Sequence, residues 1–233
     1  MKKLTAILLT AVCLFSVLAM SSCSCSSSNG NTISINTPTE PALRDEYGVG
    51  YKINDDNTLA VTSYNGADKD VSIPLDYDNK TVKNVAESAF KGSDIESVTM
   101  PDGMESIDGY AFALCKDLNI VNIPEGVKTI GSNAFFGTFA LTEIELPETL
   151  ETIELNAFNA SAITEIVIPE KVKTIGEFAF ADCSSLDTIQ VMSKKTDIAS
   201  SAFKTGTDTT IIAPKGSKAI KIAKENKLKY VEE

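Results

Sequence analysis

Three carboxylates, those of Glu143, Glu145 and Glu165, are the side chains whose type and spacing come closest to supporting chemistry. A pair of carboxyl groups can act as general acid and general base, but the sequence shows no nucleophile motif or phosphate-binding loop beside them. It also contains no histidine, which excludes the Ser-His-Asp and Cys-His arrangements and every metal site that uses imidazole. We therefore expect no catalytic residues, no metal and no cofactor.

The overall charge narrows the choice of partner. The 233 residues include 21 Lys and Arg against 32 Asp and Glu, which gives a net charge of -11. Nucleic-acid binding relies on clustered Lys and Arg that displace counterions from phosphates. We therefore expect no nucleic-acid partner. The apolar share of 43% is high enough for a folded core.

Cys23 supports a different chemistry, because its surroundings resemble the lipid-attachment box of bacterial lipoproteins. Lys2 and Lys3 precede an apolar stretch over residues 4–19, and the sequence Met-Ser-Ser-Cys follows. This pattern predicts a signal peptide over residues 1–22 and acylation of the Cys23 thiol. An uncleaved membrane anchor and ordinary signal-peptidase cleavage are the alternatives. The first interpretation predicts a protein that is exported and lipid-anchored to a bacterial membrane, at the cell surface.

The dipeptide Ala-Phe recurs at a fixed spacing and indicates the fold. The spacing is always 22 or 23 residues, which is typical of a solenoid whose coils bury their apolar faces against one another. Each pair is followed by an L-x-x-I-x-I pattern, in which apolar and outward positions alternate as in a strand with one buried face. The six pairs are Ala89-Phe90, Ala111-Phe112, Ala134-Phe135, Ala157-Phe158, Ala179-Phe180 and Ala202-Phe203.

The extended pattern I-P-x-x-V-x-x-I-x-x-x-A-F-x-x-C-x-x-L-x-x-I-x-I-P resembles the BspA-like leucine-rich repeats of bacterial surface proteins. The resemblance covers roughly residues 73–213. It implies a repeat solenoid, mainly β, that is right-handed and curved, with a parallel sheet along one side and about six coils. It also implies a general role in binding or adhesion, without specifying a ligand.

Both ends of such a solenoid need a cap, since an open end exposes apolar side chains and unpaired strand edges. Residues 47–72 predict an N-terminal β-hairpin cap with its turn at residues 54–57. Residues 214–233 predict a C-terminal cap with an amphipathic helix over residues 217–228. Residues 23–46 are rich in Ser, Asn, Thr and Pro, a composition that predicts a flexible tether.

Two charge patterns are interpreted as structural. One residue position, compared across five neighbouring coils, alternates between positive and negative charge. We expect this alternation to fix the register of the coils. Six lysines between residues 215 and 229 are interpreted as the solvated face of the terminal helix, with an envelope-binding patch as the alternative. The alternating column is Lys83, Glu105, Lys128, Glu151 and Lys173.

Two cysteines and two aromatic residues are expected to lie in or near the core. Cys115 and Cys183 share a column three coils apart, about 14 Å, which is too far for a disulfide. They are interpreted as small buried residues. Phe139 is expected to fill a gap in the core, whereas Phe136 replaces an alanine of the preceding repeat and is open to either a core or a surface role.

The outward positions of the longer strand form the candidate binding site. Its three glutamates cluster without an obvious basic partner, and neighbouring like charges cost stability. Two apolar residues are exposed beside them, and one aromatic lies in a nearby turn. The alternative is an ordinary solvated sheet face that lysines from elsewhere neutralise. The candidate ligand-binding residues are Ile120, Phe136, Glu143, Glu145, Glu165 and Val167.

Together these features predict a lipid-anchored cell-surface protein for binding or adhesion. It would recognise a protein or glycan on a host or neighbouring cell through its solenoid face, by a few anchors among many weak contacts. The alternative is a structural or accessory envelope protein that acts as a spacer or assembly partner. An enzyme is the third and disfavoured class.

Overall fold

The structure of the protein is a computed structural model that describes residues 43–206 and 208–233. The predicted signal peptide over residues 1–22, the predicted lipid attachment at Cys23 and most of the predicted tether lie outside these residues. Along the described chain, no helix is long and apolar enough to cross a membrane.

Short strands dominate the described chain, and a helix follows near its C-terminal end. In chain order the elements are β1 (Leu43–Arg44), β2 (Val49–Ile53), β3 (Leu59–Tyr64), β4 (Asp70–Ser72), β5 (Asp76–Tyr77), β6 (Lys80–Val85), β7 (Ser97–Thr99), β8 (Ser106–Ile107), β9 (Ile120–Asn122), β10 (Thr129–Ile130), β11 (Thr152–Ile153), β12 (Glu165–Ile168), β13 (Thr174–Ile175), β14 (Thr188–Val191), β15 (Asp197–Ile198), β16 (Thr210–Ala213), α1 (Lys218–Glu225) and β17 (Lys229–Glu232).

The first sheet joins the N-terminal cap to one side of the solenoid. Strands β1, β2 and β3 pair antiparallel, and β2 with β3 forms the predicted hairpin. From β3 a parallel ladder runs through β6, β8, β10, β11, β13 and β15, while β5 pairs with β6 at its side. Within this ladder Ile130 pairs with Ile107 on one side and with Ile153 on the other. Each coil therefore contributes the same column to the same place, as the repeat predicts.

The N-terminal cap begins before residue 47, so the predicted tether over residues 23–46 extends too far. Strand β1 pairs with β2, and the Arg44 guanidinium donates to the Gly48 carbonyl at 2.6 Å and to Ser63 Oγ at 3.1 Å. The Arg44 carbonyl in turn accepts from the Tyr77 hydroxyl at 2.8 Å. Because the bonds to Ser63 and Tyr77 join residues far apart in the sequence, the polar composition of the segment gave no sign of them.

The second sheet contains the longer strand of each repeat, and its strands fall into two separate parts. Strands β4, β7 and β9 form one parallel part, and β12, β14, β16 and β17 form another. The coil between them contributes residues 142–146, which form no strand. Counted over the described residues, the solenoid has about eight turns, two more than the six Ala-Phe pairs suggest, because the caps add turns.

The Ala-Phe pairs form the centre of the core, as predicted. All six alanines and all six phenylalanines are buried. The rings of Phe90, Phe112, Phe135 and Phe158 are stacked on one another, with centroids 5.1, 5.4 and 5.3 Å apart. Since each ring contacts its neighbours in the adjacent coils, no coil can complete its core alone.

The alternating charge column is paired in part. Lys83 Nζ lies 2.8 Å from a carboxylate oxygen of Glu105, and Lys173 forms an ion pair with Glu151. Lys128 has no carboxylate within 4.0 Å among the described residues. The backbone register that the column predicts is present at every step, for example in the bond from the Lys128 amide to the Glu105 carbonyl at 2.9 Å.

The C-terminal cap contains the predicted helix and an additional strand. Helix α1 buries Ala219, Ile220, Ile222 and Ala223 over the last coil, and the hydroxyl of Ser217 accepts from the Ile220 amide at its start. Strand β17 extends the second sheet in parallel with β16, which the sequence pattern did not predict. Four lysines of the cluster form ion pairs, which supports the solvated-helix interpretation. These pairs are Lys218 with Asp197, Lys221 with Glu225, Lys224 with Glu232, and Lys229 with Asp208.

Candidate ligand-binding face

The second sheet presents the outward columns that the sequence predicts. Ile120 pairs with Ser97 on one side of the interruption, and Glu165 pairs with Thr188 on the other. In β12 the side chains of Ile166 and Ile168 are buried, so Glu165 and Val167 point outward. The strand alternation therefore places charged and apolar residues on the same exposed face.

Residues 143–146 lie between the two parts of the sheet without joining either. Their amides and carbonyls make no backbone-to-backbone hydrogen bond with any described residue. The segment is held at its flanks, where the Leu141 amide donates to the Thr138 carbonyl at 3.3 Å and the Thr164 amide donates to the Thr142 carbonyl at 3.0 Å. Ile144 is buried and anchors the segment to the core. The interruption therefore opens a cleft on each side of this coil.

The first cleft lies between this coil and β12 and has a volume of about 430 Å³. Four glutamates line it, together with apolar side chains that include Leu146 and Val167. The second cleft lies between this coil and β9, has a volume of about 360 Å³, and is lined by Ile120 and by two of the same glutamates. We call the surface of both clefts the acidic face; it comprises Ile120, Glu143, Glu145, Leu146, Glu148, Glu165 and Val167.

The carboxylates of the acidic face have no basic partner. Among the described residues, no Lys or Arg nitrogen lies within 4.0 Å of the carboxylates of Glu143, Glu145, Glu148 or Glu165. Some acidic side chains elsewhere on the surface do form ion pairs with a lysine of a neighbouring coil, as Glu96 does with Lys69 at 2.5 Å. Lysines from other parts of the described chain thus form no ion pair with this face.

Five of the six predicted binding residues lie together on the acidic face, and the sixth does not. Ile120 is 63% exposed and Val167 is 51% exposed, as expected for contact residues. Phe136 lies in the turn after Phe135, half-buried, and lines neither cleft. Its aromatic type suggests a contact residue, but it lies in the turn directly after the Ala134-Phe135 pair and not at an outward strand position. Phe136 therefore lies apart from the other five candidate residues.

The expectation that Phe139 fills the core is also wrong. Its side chain is 57% exposed. Phe139 and Leu114 approach each other over Gly137, a residue with a φ of +67°. The position that faces inward in this turn is occupied by Thr138, whose hydroxyl donates to the Phe135 carbonyl at 2.9 Å.

Glu148 and Leu146 belong to the acidic face, although the strand pattern did not single them out. Glu148 follows Pro147, beyond the alternating positions, and its amide donates to a carboxylate oxygen of Glu125 at 2.9 Å. This bond holds the segment after Pro147 against the preceding coil. A signal was available in the sequence, since Glu148 is the third glutamate within six residues.

The two described cysteines are structural. Cys115 and Cys183 are buried and not bonded to each other, as predicted. Their thiols donate to the carbonyls of Phe90 at 2.9 Å and Phe158 at 3.0 Å. Burial raises the pKa of both thiols above the ordinary value, which opposes formation of a nucleophilic thiolate.

The acidic face combines charged and apolar side chains on an exposed surface. No group of three or more Asp, Glu or Cys side chains within the described chain is arranged to hold a metal ion. The clefts place carboxylates beside exposed apolar side chains. Such a surface suits contact with another molecule that is both cationic and apolar.

Comparison with known proteins agrees with this architecture. Residues 83–210 match the family described as "BspA type Leucine rich repeat region", with six copies. No curated protein sequence is significantly similar to the chain.

Three solved structures share the fold. A leucine-rich repeat protein of T. pallidum has a TM-score of 0.63 and 22% identity, over 80% of this chain and 97% of that one. One from Bacteroides ovatus has a TM-score of 0.57 and 23% identity, over 81% and 66%. The pneumococcal vaccine antigen PcpA has a TM-score of 0.62 and 19% identity, over 81% of this chain but only 49% of its own length. At these identities the likeness shows the fold alone.

Proposed function

Because the chain belongs to the BspA-type leucine-rich repeat family, whose fold serves as a scaffold for interactions, we propose that it binds another macromolecule through the acidic face. The observation that carries this proposal is the cluster of four carboxylates without ion pairs beside exposed Ile120 and Val167. Neighbouring like charges on a sheet cost stability. Their presence in one place is explained if a partner neutralises them.

We further propose that the protein acts outside the cell. Acylation of Cys23 would anchor it to a bacterial membrane, and the segment before residue 43 would act as the tether. The ligand would be a protein or a glycan on a host or neighbouring cell. The fold neighbour described as a vaccine antigen is consistent with such exposure, although that description applies to PcpA itself.

A binding panel tests the proposed function. The full chain is titrated against immobilised extracellular-matrix proteins, a glycan array and an extract of its own envelope. We expect saturable binding to at least one host component, weakened about tenfold when Glu143, Glu145 and Glu165 are all changed to Gln. The matched control replaces three exposed acids away from the face, as Asp55→Asn, Glu87→Gln and Glu177→Gln, and should bind like the wild type.

Two other outcomes of the panel would overturn the proposal. Binding that is equal in the wild type and the triple glutamine variant would remove the acidic face from the function. Binding confined to the envelope extract would favour the spacer or assembly role instead. Turnover of any component by the chain would contradict the expectation that it has no catalytic residues.

The location has its own test. Labelling with an alkyne fatty acid should modify the wild-type chain and leave Cys23→Ala unlabelled. Protease treatment of intact cells should then remove the folded part from labelled cells. Equal labelling of the Cys23→Ala variant would contradict the anchor, and protection from protease on intact cells would contradict exposure at the surface.

A further inference from the structure

The charges and apolar side chains of the acidic face specify the class of its partner. Resting on the function proposed above, we infer that the acidic face docks an extended protein segment in which apolar and basic side chains alternate on one side. A glycan, and above all an anionic one, is the competing ligand that this inference excludes.

Charge is the first argument. The first cleft brings together the carboxylates of Glu143, Glu145, Glu148 and Glu165, and no Lys or Arg of the described chain pairs with them. The whole chain carries a net charge of -11, so its long-range field adds to the local one. Lys and Arg side chains are attracted to such a surface, whereas sulfate and carboxylate groups of anionic glycans are repelled.

The arrangement of apolar groups is the second argument. Ile120 and Val167 lie on opposite sides of the interrupted coil, two coils apart and in the two different outward columns. The paired strands β8, β10 and β11 of the same three coils set a rise of about 4.8 Å per coil. With about 6.6 Å between alternate residues of a strand, the separation across the face is at least about 12 Å. The glutamates Glu143 and Glu145 lie between them. Along this diagonal the face therefore presents an apolar side chain, then the glutamates, and then a second apolar side chain.

An extended peptide matches this diagonal. Side chains on one side of a strand recur about every 6.6 Å, so those at positions i and i+4 are about 13 Å apart. A segment with apolar residues at i and i+4 and a Lys or Arg at i+2 would place each side chain over its complement. A neutral sugar could donate its hydroxyls to the carboxylates, but it carries no positive charge to neutralise them and no aliphatic side chain to cover Ile120 and Val167.

The backbone of the interrupted coil is the third argument. The amides and carbonyls of residues 143–146 make no backbone hydrogen bond with the described chain. In the other coils these groups are used within the sheet, as in the pairing of β12 with β14. A partner lying across the face can therefore offer hydrogen-bonding groups to these amides and carbonyls at the point where it crosses the segment.

A peptide titration tests the inference directly. The probe is a fluorescent peptide with four repeats of Val-Ser-Lys-Ser, which we call the lysine peptide. One comparison peptide replaces Lys by Glu (the glutamate peptide), and the other replaces Val by Ser (the serine peptide). Anisotropy is measured with the full chain. We expect the first peptide to bind about tenfold more tightly than either comparison peptide, and its affinity to fall as salt rises from about 50 mM to about 500 mM.

Variants of the chain assign the binding to the face. The triple glutamine variant should lose about tenfold in affinity for the lysine peptide, and the charge-matched control of Asp55, Glu87 and Glu177 should bind like the wild type. Ile120→Ser should weaken binding of the lysine peptide without changing the dependence of that binding on salt. Equal affinity for the lysine and glutamate peptides, or for the wild type and the triple variant, would overturn the inference.

Failure of this inference can be distinguished from failure of the proposed function. If the triple variant loses binding to a glycan in the panel while the lysine peptide does not bind, the face binds a ligand but the class inferred here is wrong. If neither the panel nor the peptides respond to substitutions in the face, the proposed function itself fails.

Discussion

The rings of Phe135 and Phe158 stack with their centroids 5.3 Å apart and their planes 3° from parallel, although 23 residues separate them in the sequence. Phe158 repeats this relationship with Phe180 at 5.5 Å. Each ring is buried between the rings of two adjacent coils. The stability of one coil therefore depends on the side chains of its neighbours.

The first prediction concerns this stack. Phe135→Ala should lower the free energy of unfolding by about 3–5 kcal/mol, because it removes a buried ring and leaves a cavity between two others. Phe139→Ala, which changes an exposed ring in the same coil, should cost no more than about 0.5 kcal/mol. Urea unfolding of both variants, followed by circular dichroism, makes the comparison. Equal losses would contradict the assignment of the core.

The second prediction concerns the close approach of neighbouring coils at Gly131. A Cβ added there would lie 2.7 Å from the Asp108 carbonyl carbon and from the Gly109 amide nitrogen, neither of which can move independently of the backbone. Gly131→Ala should therefore destabilise the protein by about 1–3 kcal/mol. Gly206→Ala is the control, since a Cβ at Gly206 meets nothing within 4 Å. The two midpoints of urea unfolding should differ clearly, and coinciding midpoints would contradict the coil spacing.

The third prediction concerns the dependence of stability on pH. The hydrogen bond and charge of Lys173 hold the pKa of the Glu151 carboxyl below its ordinary value. A carboxyl with a lowered pKa in the folded state stabilises the protein above its unfolded pKa of about 4.3, and this contribution is lost as pH falls through the folded pKa. Thermal unfolding of Glu151→Gln should therefore give a lower Tm than the wild type at pH 7 and the same Tm at the lowest pH at which both still fold. A Tm difference that persists unchanged in acid would contradict the pairing.

The same ladder gives an ordering of charge reversals. Glu151→Lys creates three neighbouring lysines in the column, with Lys128 and Lys173 on either side. It should lower the Tm more than Lys221→Glu, which changes a largely exposed residue of helix α1.

The fourth prediction concerns the buried thiols. Because burial raises the pKa of Cys115 and Cys183 and both thiols donate to backbone carbonyls, neither should react with iodoacetamide in the folded protein at pH 8. Both should react fully in urea. Peptide mass spectrometry after brief labelling resolves the two sites, and modification of either site without denaturant would contradict their burial.

The repeat predicts which residues occupy the outward strand positions, but it does not predict where the strands of neighbouring coils fail to pair. Ile120, Glu165 and Val167 lie where the alternation places them, because every coil repeats the same inward and outward positions. The interruption at residues 143–146 could not be predicted, since Leu141, Ile144 and Leu146 follow the strand pattern as well as their counterparts do. Pairing depends on the spacing of three coils, which is a property of packing and not of one repeat.

Local backbone conformation shows the same limit. The residue before each of five Ala-Phe pairs has a positive φ. Asn133 and Asn156 are typical of that conformation, but Tyr110 and Phe178 adopt it with φ values of 57° and 56°. The turn is imposed by the stacking of the coils, which overrides the preference of the individual residue. In the same way, the aromatic type of Phe136 and Phe139 did not indicate whether their side chains are buried or exposed.

The clustered carboxylates of the acidic face should lower the stability of the free protein, and a bound ligand should restore it. The test is thermal unfolding of the full chain and of its triple glutamine variant at Glu143, Glu145 and Glu165, each with and without the lysine peptide. We predict that the variant alone melts at a higher temperature than the wild type, because like charges no longer face one another, and that the peptide raises the Tm of the wild type more than that of the variant. A lower Tm for the variant, or an equal rise in Tm for both proteins with the peptide, would contradict the account.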